Sequence, residues 1–186
     1  MRKLALASAL SGAVVCCSSA AQGLVEWHEQ VISGVCTLRF AVPEGWSVET
    51  HAPAPGAVQI LIVPQAGPRS EVLMTGLAPR NDSSLEGTSN IKKTVRMMGE
   101  ALLSGAVEKK IELQRLNGAD GAGFFYTLTD KLQQLPEGEH RFTTQGVMAI
   151  GPLRLAVTVL ADGKSSPAST MAFDMLRTAE CANPNR

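Results

Sequence analysis

Two β-prone runs separated by only two residues place the strongest constraint on the fold. The runs are residues 141–150 and 153–160, and the residues between them are Gly151 and Pro152. Glycine and proline together favour a turn. A connection this short joins antiparallel strands, because parallel strands need a crossover of about a dozen residues or more. The sequence therefore predicts an antiparallel β-hairpin here, around which the rest of the chain must be arranged.

Further β-prone runs precede this hairpin. Strands are expected over residues 37–42, 58–63, 71–76, 111–114 and 124–129. Residues 51–56 contain two prolines and are interpreted as a connector between the first two strands. The glycine-rich residues 117–123 predict a turn before an aromatic strand. The chain is thus expected to be organised around an antiparallel sheet.

Two segments have the sequence features of helices. The first has apolar residues at helical spacing: Ile91, Val95, Met98 and Leu102. This spacing predicts a helix that buries all four side chains. Ser166 followed by Pro167 predicts the start of a closing helix, because serine is a preferred N-cap and proline at the first helical position costs no hydrogen bond. The order of elements predicts an α+β domain in which helices pack on an antiparallel sheet.

The N-terminal residues have the pattern of a secretory signal peptide. Arg2 and Lys3 precede a short apolar stretch, which small residues follow. These small residues predict cleavage between Ala21 and Gln22, or one residue earlier. The expected organisation is a signal peptide over residues 1–21, an N-terminal segment over residues 22–36 and a single domain over residues 37–182.

Cys16 and Cys17 leave a second interpretation open, a lipoprotein anchored through a lipidated cysteine. The residue before each of them, Val15 or Cys16, is not the small Gly, Ala or Ser that lipidation favours. After residue 21 no apolar run approaches the roughly 20 residues that a bilayer-spanning helix needs. The expected location is therefore the periplasm or the exterior, with membrane anchoring through Cys16 or Cys17 as the alternative.

Two cysteines remain after the predicted cleavage site, Cys36 and Cys181. In an exported protein an even pair of cysteines is interpreted first as a disulfide. Cys36 precedes the first core strand and Cys181 ends the last helix, so a bond between them would tie the terminal elements together. The alternative is a pair of buried, unpaired thiols.

Charge and motif content exclude several classes of function. The chain has 17 basic and 17 acidic residues, so it lacks the basic excess of a nucleic-acid-binding protein. The three histidines, His28, His51 and His140, have no metal-binding spacing, and no Gly-x-Ser-x-Gly nucleophile motif is present. Glu137 and Glu139 beside His140 are interpreted as solvated loop charges. We therefore expect no catalytic, cofactor-binding or metal-binding residue.

The order of elements and three short motifs resemble PsbP-like domains. The motifs are Pro43-x-Gly45-Trp46, Asn117-Gly118 and Gln145-Gly146. The resemblance extends over about residues 37–181. It implies an α/β/α sandwich around an antiparallel sheet, in an accessory or partner-binding protein without enzymatic activity. It implies no catalytic residues and no cofactor.

The function expected from these observations is that of a non-enzymatic accessory protein of the bacterial envelope. Such a protein would bind a protein or an envelope component through a sheet edge, a loop or the N-terminal segment. Two alternatives stay open, an exported hydrolase-type enzyme with an unrecognised site and a carrier of a small ligand or lipid. An exposed apolar patch over a filled core would favour partner binding, whereas a cleft with clustered, pKa-shifted carboxylates would favour an enzyme.

Overall fold

Strands dominate the computed structural model, which describes residues 25–54, 57–77, 85–164 and 166–182. The predicted signal peptide and its cleavage site lie outside these residues. In chain order the elements are β1 (Val25–Ile32), β2 (Cys36–Pro43), β3 (Trp46–Ala54), β4 (Ala57–Pro64), β5 (Ser70–Leu77), α1 (Gly87–Leu102), a 3₁₀ turn (Leu103–Gly105), β6 (Gln114–Gly118), β7 (Gly121–Thr129), β8 (Phe142–Ile150), β9 (Leu153–Ala161), α2 (Pro167–Thr178) and β10 (Glu180–Ala182).

The strands form two antiparallel sheets. The large sheet has the order β3-β4-β5-β9-β8-β7-β6, and the small sheet has the order β1-β2-β10. The predicted hairpin is confirmed, because β8 and β9 pair from Phe142 opposite Ala161 to Ile150 opposite Leu153. Gly151 turns the chain between them with a φ of 51°, a left-handed conformation that favours glycine. The hairpin thus forms the middle of the large sheet.

The predicted fold class, an α+β domain with helices flanking an antiparallel sheet in an α/β/α sandwich, is wrong. The strands form two sheets, and the small sheet together with α2 covers one face of the large sheet. Much of the layer that was expected to be helical is therefore β-structure. On the opposite face α1 packs on β7 and β8. The fold is β-rich, with two sheets packed against each other.

Three strands have no clear signal in the sequence. β1 is the edge of the small sheet, and most of its residues are exposed, so it lacks the regular apolar alternation of a half-buried strand. β3 extends to Ala54 and so includes the first four residues of the Pro-rich stretch 51–56 that the sequence predicts as a connector. As an edge strand of the large sheet it can accommodate proline. β10 has only three residues and forms because it pairs with β2.

The main core lies between the two sheets and α2. Both β2 and β5 alternate strictly between buried and half-buried residues, as strands with one face in a core do. The core includes Leu38, Phe40, Ile62, Met74, Phe125, Met148, Leu155 and Leu176, all at most 2% exposed. Burying one such side chain contributes about 1.5–3 kcal/mol to stability. The interior between the sheets is therefore filled by side chains.

A second, smaller core lies under α1. The helix buries Ile91, Val95 and Gly99, which follow one another at intervals of four residues. Met98 is 38% exposed and Leu102 is 45% exposed. The predicted stripe is therefore right at Ile91 and Val95 and wrong at Met98 and Leu102. The reason is Gly99, because a Cβ atom at this position would lie only 2.8 Å from the Ile111 side chain and 3.1 Å from the Tyr126 ring of β7. The absence of a side chain there lets this face of the helix pack closely on the sheet.

The closing helix begins as the sequence predicts. The Oγ atom of Ser166 accepts a hydrogen bond of 3.1 Å from the backbone N–H of Ala168, and Pro167 is the first helical residue. The helix then buries Met171, Met175 and other apolar residues against the main core. Within the described ranges, no helix is long and apolar enough to span a bilayer.

A disulfide joins Cys36 to Cys181, as the cysteine count predicts, with a Cα–Cα distance of 5.5 Å. Cys36 is the first residue of β2, and Cys181 is the middle residue of β10. Cys181 lies opposite Leu38 in the ladder between these strands. The bond therefore lies within the small sheet and spans a sequence separation of 145 residues.

Candidate functional site

The edge strand β1 presents apolar side chains to solvent. Val25 is 54% exposed, Trp27 is 50% exposed and Val31 is 61% exposed. Residues at alternate positions of a strand share one face, so these three side chains lie on the face of β1 turned away from the core, to which Ile32 belongs. No strand among the described residues pairs with the outer edge of β1. An exposed apolar edge of this kind favours association with another chain.

An apolar groove of about 740 Å³ lies between this face of the small sheet and α2. Val25 and Trp27 line it from β1, and Met171 and Met175 line it from α2. Trp46, at the start of β3, lines it as well. Both tryptophans of the chain therefore line this one groove. Tryptophan and methionine are enriched where proteins bind one another.

Register and helical periodicity explain how these side chains come together. Val25 lies opposite Pro43 and Trp27 lies opposite Ala41, so all four share the outer face of the small sheet. Met171 and Met175 are four residues apart in α2 and share one face of that helix. The groove is thus positioned by a sheet and a helix that both belong to the main core.

The charged residues around the groove are mostly paired. The Arg39 guanidinium lies 5.5 Å from the centre of the Trp27 ring, and its Nε atom is 2.9 Å from the Glu29 carboxylate. Asp174 is the only charged residue among those that line the groove, and it forms an ion pair with Arg177. The Arg39 guanidinium therefore already has two partners, the Glu29 carboxylate and the Trp27 ring.

One further carboxylate, that of Glu44, lies near the groove, whereas alternation along β1 places Glu26 on the opposite face of the strand from Val25 and Trp27. Glu44 lines a neighbouring cavity that shares Trp46 with the groove. Among the residues that the structure describes, no lysine or arginine lines either cavity. The surroundings therefore favour a ligand that brings positive charge.

The three histidines lie on separate elements. His28 is in β1, His51 is in β3, and His140 lies just before β8. The interpretation of His140 as part of a solvated loop is wrong, because its side chain is only 2% exposed. Its Nδ1 atom is 3.1 Å from an Asp162 oxygen, and its Nε2 atom is 3.8 Å from a Glu71 oxygen. Sequence reasoning missed these partners, since both are far from His140 along the chain.

The described residues contain no group of three or more His, Cys, Asp or Glu side chains that could hold a metal ion. The pKa values of two carboxyl groups, Glu108 and Glu112, are lowered. Burial raises the pKa of Glu108, but hydrogen bonds from Thr129 and from its own backbone N–H, with the charge of Lys164, more than offset this effect. A hydrogen bond from Lys110 and its charge lower the pKa of Glu112. Both groups are thus ionised at neutral pH and do not fit a general acid.

The lowered pKa of Glu108 predicts a loss of stability in acid. Because the folded-state pKa lies below the ordinary value of 4.5, ionised Glu108 stabilises the fold above that pH. The contribution disappears as the pH falls through the folded-state pKa. We expect Glu108→Gln to lower the Tm at about pH 7, and we expect the difference in Tm to decrease as the pH falls below 4.5.

Thermal unfolding followed at a series of pH values measures this effect. Glu100→Gln is the matched control, because Glu100 is exposed on α1. If the Glu108→Gln variant and the unmodified protein differed by the same Tm at every pH, the stabilising role of the Glu108 carboxylate would be wrong.

Few known proteins are detectably similar to this chain. No protein-family model matches it, and no curated protein matches it. Among solved structures, a crystal structure of a Bacteroides thetaiotaomicron protein aligns with a TM-score of 0.45 and 10% sequence identity. The alignment covers 80% of this chain and 46% of that one, so the chain spans less than half of that protein. Functional inference therefore rests on the chain's own geometry.

Proposed function

We propose that this protein is a non-enzymatic accessory protein of the bacterial envelope that binds a partner protein through the groove between β1 and α2. The groove is the observation that supports this function, because it gathers both tryptophans and the exposed Val25 over the buried Met171 and Met175 of the main core. Scattered apolar residues are normal on protein surfaces, whereas a contiguous apolar patch marks a site of interaction.

The compartment follows from the disulfide. The Cys36–Cys181 bond indicates an oxidising, extracytoplasmic environment, because thiols are kept reduced in the cytosol. Within that environment we assign the protein to the periplasm, on the basis of the charged start, short apolar stretch and small exit residues at the N-terminus.

The chemistry of the groove defines the partner. The lining is largely apolar, Asp174 is its charged residue among those described, and Glu44 lines the neighbouring cavity. The nearby cation Arg39 is already engaged by Glu29 and Trp27. The fitting partner is therefore a protein segment whose apolar side chains enter the groove and whose lysine or arginine residues lie beside these carboxylates.

Tryptophan fluorescence tests this partner chemistry directly, since both tryptophans line the groove. Two synthetic peptides share one apolar sequence, and one is flanked by lysines while the other is flanked by glutamates. We expect the lysine-flanked peptide to shift the emission to shorter wavelength in a saturable manner, and to bind at least about tenfold more tightly than the other. Equal binding of both peptides, or no saturable shift, would contradict the proposed partner.

Substitution at the groove supplies a second test. We expect Trp27→Ser to weaken binding of the lysine-flanked peptide at least about tenfold, because buried tryptophans dominate binding energies. Trp46 remains as the reporter. The matched control is Met97→Ser, which removes an exposed apolar side chain (59% exposed) from α1. The two variants should have similar Tm values, which excludes unfolding as the cause of weaker binding. Loss of binding by both variants would contradict binding at the groove, because Met97 does not line it.

Photo-crosslinking in the native cell envelope tests the role in the cell. A photoreactive residue replaces Thr170, which lines the groove from α2, or Met97 as the control. We expect the residue at position 170 to crosslink to an apolar segment with flanking basic residues, and Trp27→Ser to abolish this product. Identical products from both positions, or products that survive Trp27→Ser, would overturn the proposed function.

A further inference from the structure

A second cavity, of about 450 Å³, lies on another side of α2 from the groove, because its helix residues Ser169 and Phe173 alternate along the helix with those that line the groove. Thr127 of β7 and Thr144 of β8 line it from the large sheet, and Ser169 and Phe173 line it from α2. The loop before β6 and the residue Lys164 complete the lining. No residue lines both this cavity and the groove. The cavity is therefore a separate site.

The carboxylates of this cavity are already satisfied. One oxygen of Glu108 accepts a hydrogen bond of 2.8 Å from the Thr129 backbone N–H, and the other accepts one of 2.8 Å from the Thr129 hydroxyl. The Glu112 carboxylate lies 2.9 Å from the Lys110 ammonium. Neither carboxylate needs a cation from a ligand.

Two lysines of the cavity have no ion pair within 4.0 Å among the described residues, Lys109 and Lys164. Lys164 acts on Glu108 and Glu112 through its charge, but it forms a direct contact with neither. With Lys110 paired to Glu112 and Glu108 held by Thr129, these two ammonium groups are available to an incoming anion.

The wall formed by the sheet adds a hydrogen-bond donor. The hydroxyl oxygens of Thr127 and Thr144 are 2.8 Å apart, so one hydroxyl donates to the other. A hydroxyl carries one hydrogen, and the pair therefore uses one of its two hydrogens and keeps one for a bound group. Thr144 is only 4% exposed and Thr127 is half-buried, so the hydroxyl pair is largely shielded from bulk water.

Phe173 supplies an apolar surface on the other side. Its ring is half-buried and meets Phe125 edge-on, with ring centres 5.3 Å apart and planes inclined by 74°. This contact fixes the ring while part of it still lines the cavity. A ligand that spans the cavity therefore meets cations, a hydroxyl donor and an aromatic ring.

We propose that this cavity binds a small organic anion, with its acidic group at Lys109 and Lys164 and its apolar part against Phe173. A carboxylate is the fitting acidic group, because it accepts hydrogen bonds from both ammonium groups and from the free threonine hydroxyl. The apolar part is an aromatic ring or a short acyl chain. This site is independent of the groove and of the partner bound there.

Nuclear magnetic resonance titration of the purified protein tests the proposal with four probes. The probes are benzoate, octanoate, benzylamine and inorganic phosphate. We expect benzoate or octanoate to shift the amide resonances of Thr127, Thr144, Ser169 and Phe173 in a saturable manner. Benzylamine, which has the same ring with the opposite charge, should leave them unchanged, and phosphate should bind more weakly than the organic acids. Tighter binding of octanoate identifies a lipid-derived acid, and tighter binding of benzoate identifies an aromatic acid; both support the site.

Charge-removing variants provide the control. Lys109→Gln and Lys164→Gln should each weaken binding of the organic acid about fivefold, as expected for one exposed charge. Lys93→Gln, on the exposed surface of α1, should leave the affinity unchanged. The proposal is overturned if benzylamine binds as well as benzoate, if phosphate binds as tightly as the organic acids, or if no probe gives saturable shifts. Equal affinity in the Lys164→Gln and Lys93→Gln variants would overturn it too.

Discussion

Replacing both Cys36 and Cys181 with alanine should lower the free energy of unfolding by about 2–4 kcal/mol, the usual contribution of a native disulfide. The physical reason is that the bond closes a loop with a sequence separation of 145 residues and so restricts the unfolded chain. The chain-entropy model gives about 5 kcal/mol for a loop of this length. Alanine is chosen because Cys36 is only 1% exposed, and a serine hydroxyl there would be buried.

Guanidinium unfolding with and without a reducing agent measures this effect. The unmodified protein should lose most of this stability when the bond is reduced, whereas the double alanine variant should respond to the reducing agent hardly at all. A midpoint for the unmodified protein that does not change on reduction would show that the bond contributes nothing. Reduction breaks the bond and leaves both cysteine side chains in place. It therefore separates the contribution of the bond from any packing change that the alanine substitutions cause.

The second large effect is expected in α1, where Val95→Asp should destabilise the fold by at least about 4 kcal/mol. Val95 is fully buried between the helix and the large sheet, so the new carboxylate would lose its water without gaining a partner. Met98→Asp places the same side chain three residues further along the helix, where Met98 is 38% exposed. We expect that variant to lose less than about 1 kcal/mol.

Urea unfolding followed by circular dichroism distinguishes the two variants. If Val95→Asp does not fold, Val95→Ala keeps the prediction measurable, with an expected loss of about 1–3 kcal/mol. Equal losses for Val95→Asp and Met98→Asp would mean that the helix does not pack on the sheet along Ile91, Val95 and Gly99.

Local sequence signals identify the features of this fold that depend on neighbouring residues. The Gly151-Pro152 turn predicts the β8–β9 hairpin, and Ser166 with Pro167 predicts the start of α2. The disulfide also follows from the sequence, because only two cysteines remain after the predicted cleavage site. These predictions need no knowledge of which distant segments pack together.

Apart from the disulfide, features that depend on how distant segments pack together are missed. β10 is a strand because it pairs with β2, although Cys181 and Leu38 are far apart in the chain. The buried line of α1 moves from Met98 to Gly99 because the sheet comes close to the helix there. A pattern of apolar residues shows which face of a helix is apolar, but not how close the sheet can approach it.

The candidate groove has the same character. Trp27 and Met171 each have ordinary local environments in the sequence, and nothing there shows that they line one groove. Their proximity depends on the position of α2 relative to the small sheet, which the main core determines. The sequence predicts only a class of site, since few histidines and no nucleophile motif favour partner binding over catalysis, and this stays a prediction.

The disulfide links two strands of the small sheet, β2 and β10, covalently, whereas the third strand, β1, is not enclosed by the bond. Of the strands that the structure describes, β1 alone precedes Cys36 and lies outside the covalently closed loop. Tension applied to the chain before Val25 acts first on the ladder between β1 and β2, which extends from Val25 opposite Pro43 to Ile32 opposite Cys36. Once β1 has separated from β2, the tension passes from Cys36 through the bond to Cys181, so the rest of the fold stays closed. Because Val25 and Trp27 form one wall of the groove, mechanical load on this strand would remove the binding surface without unfolding the protein.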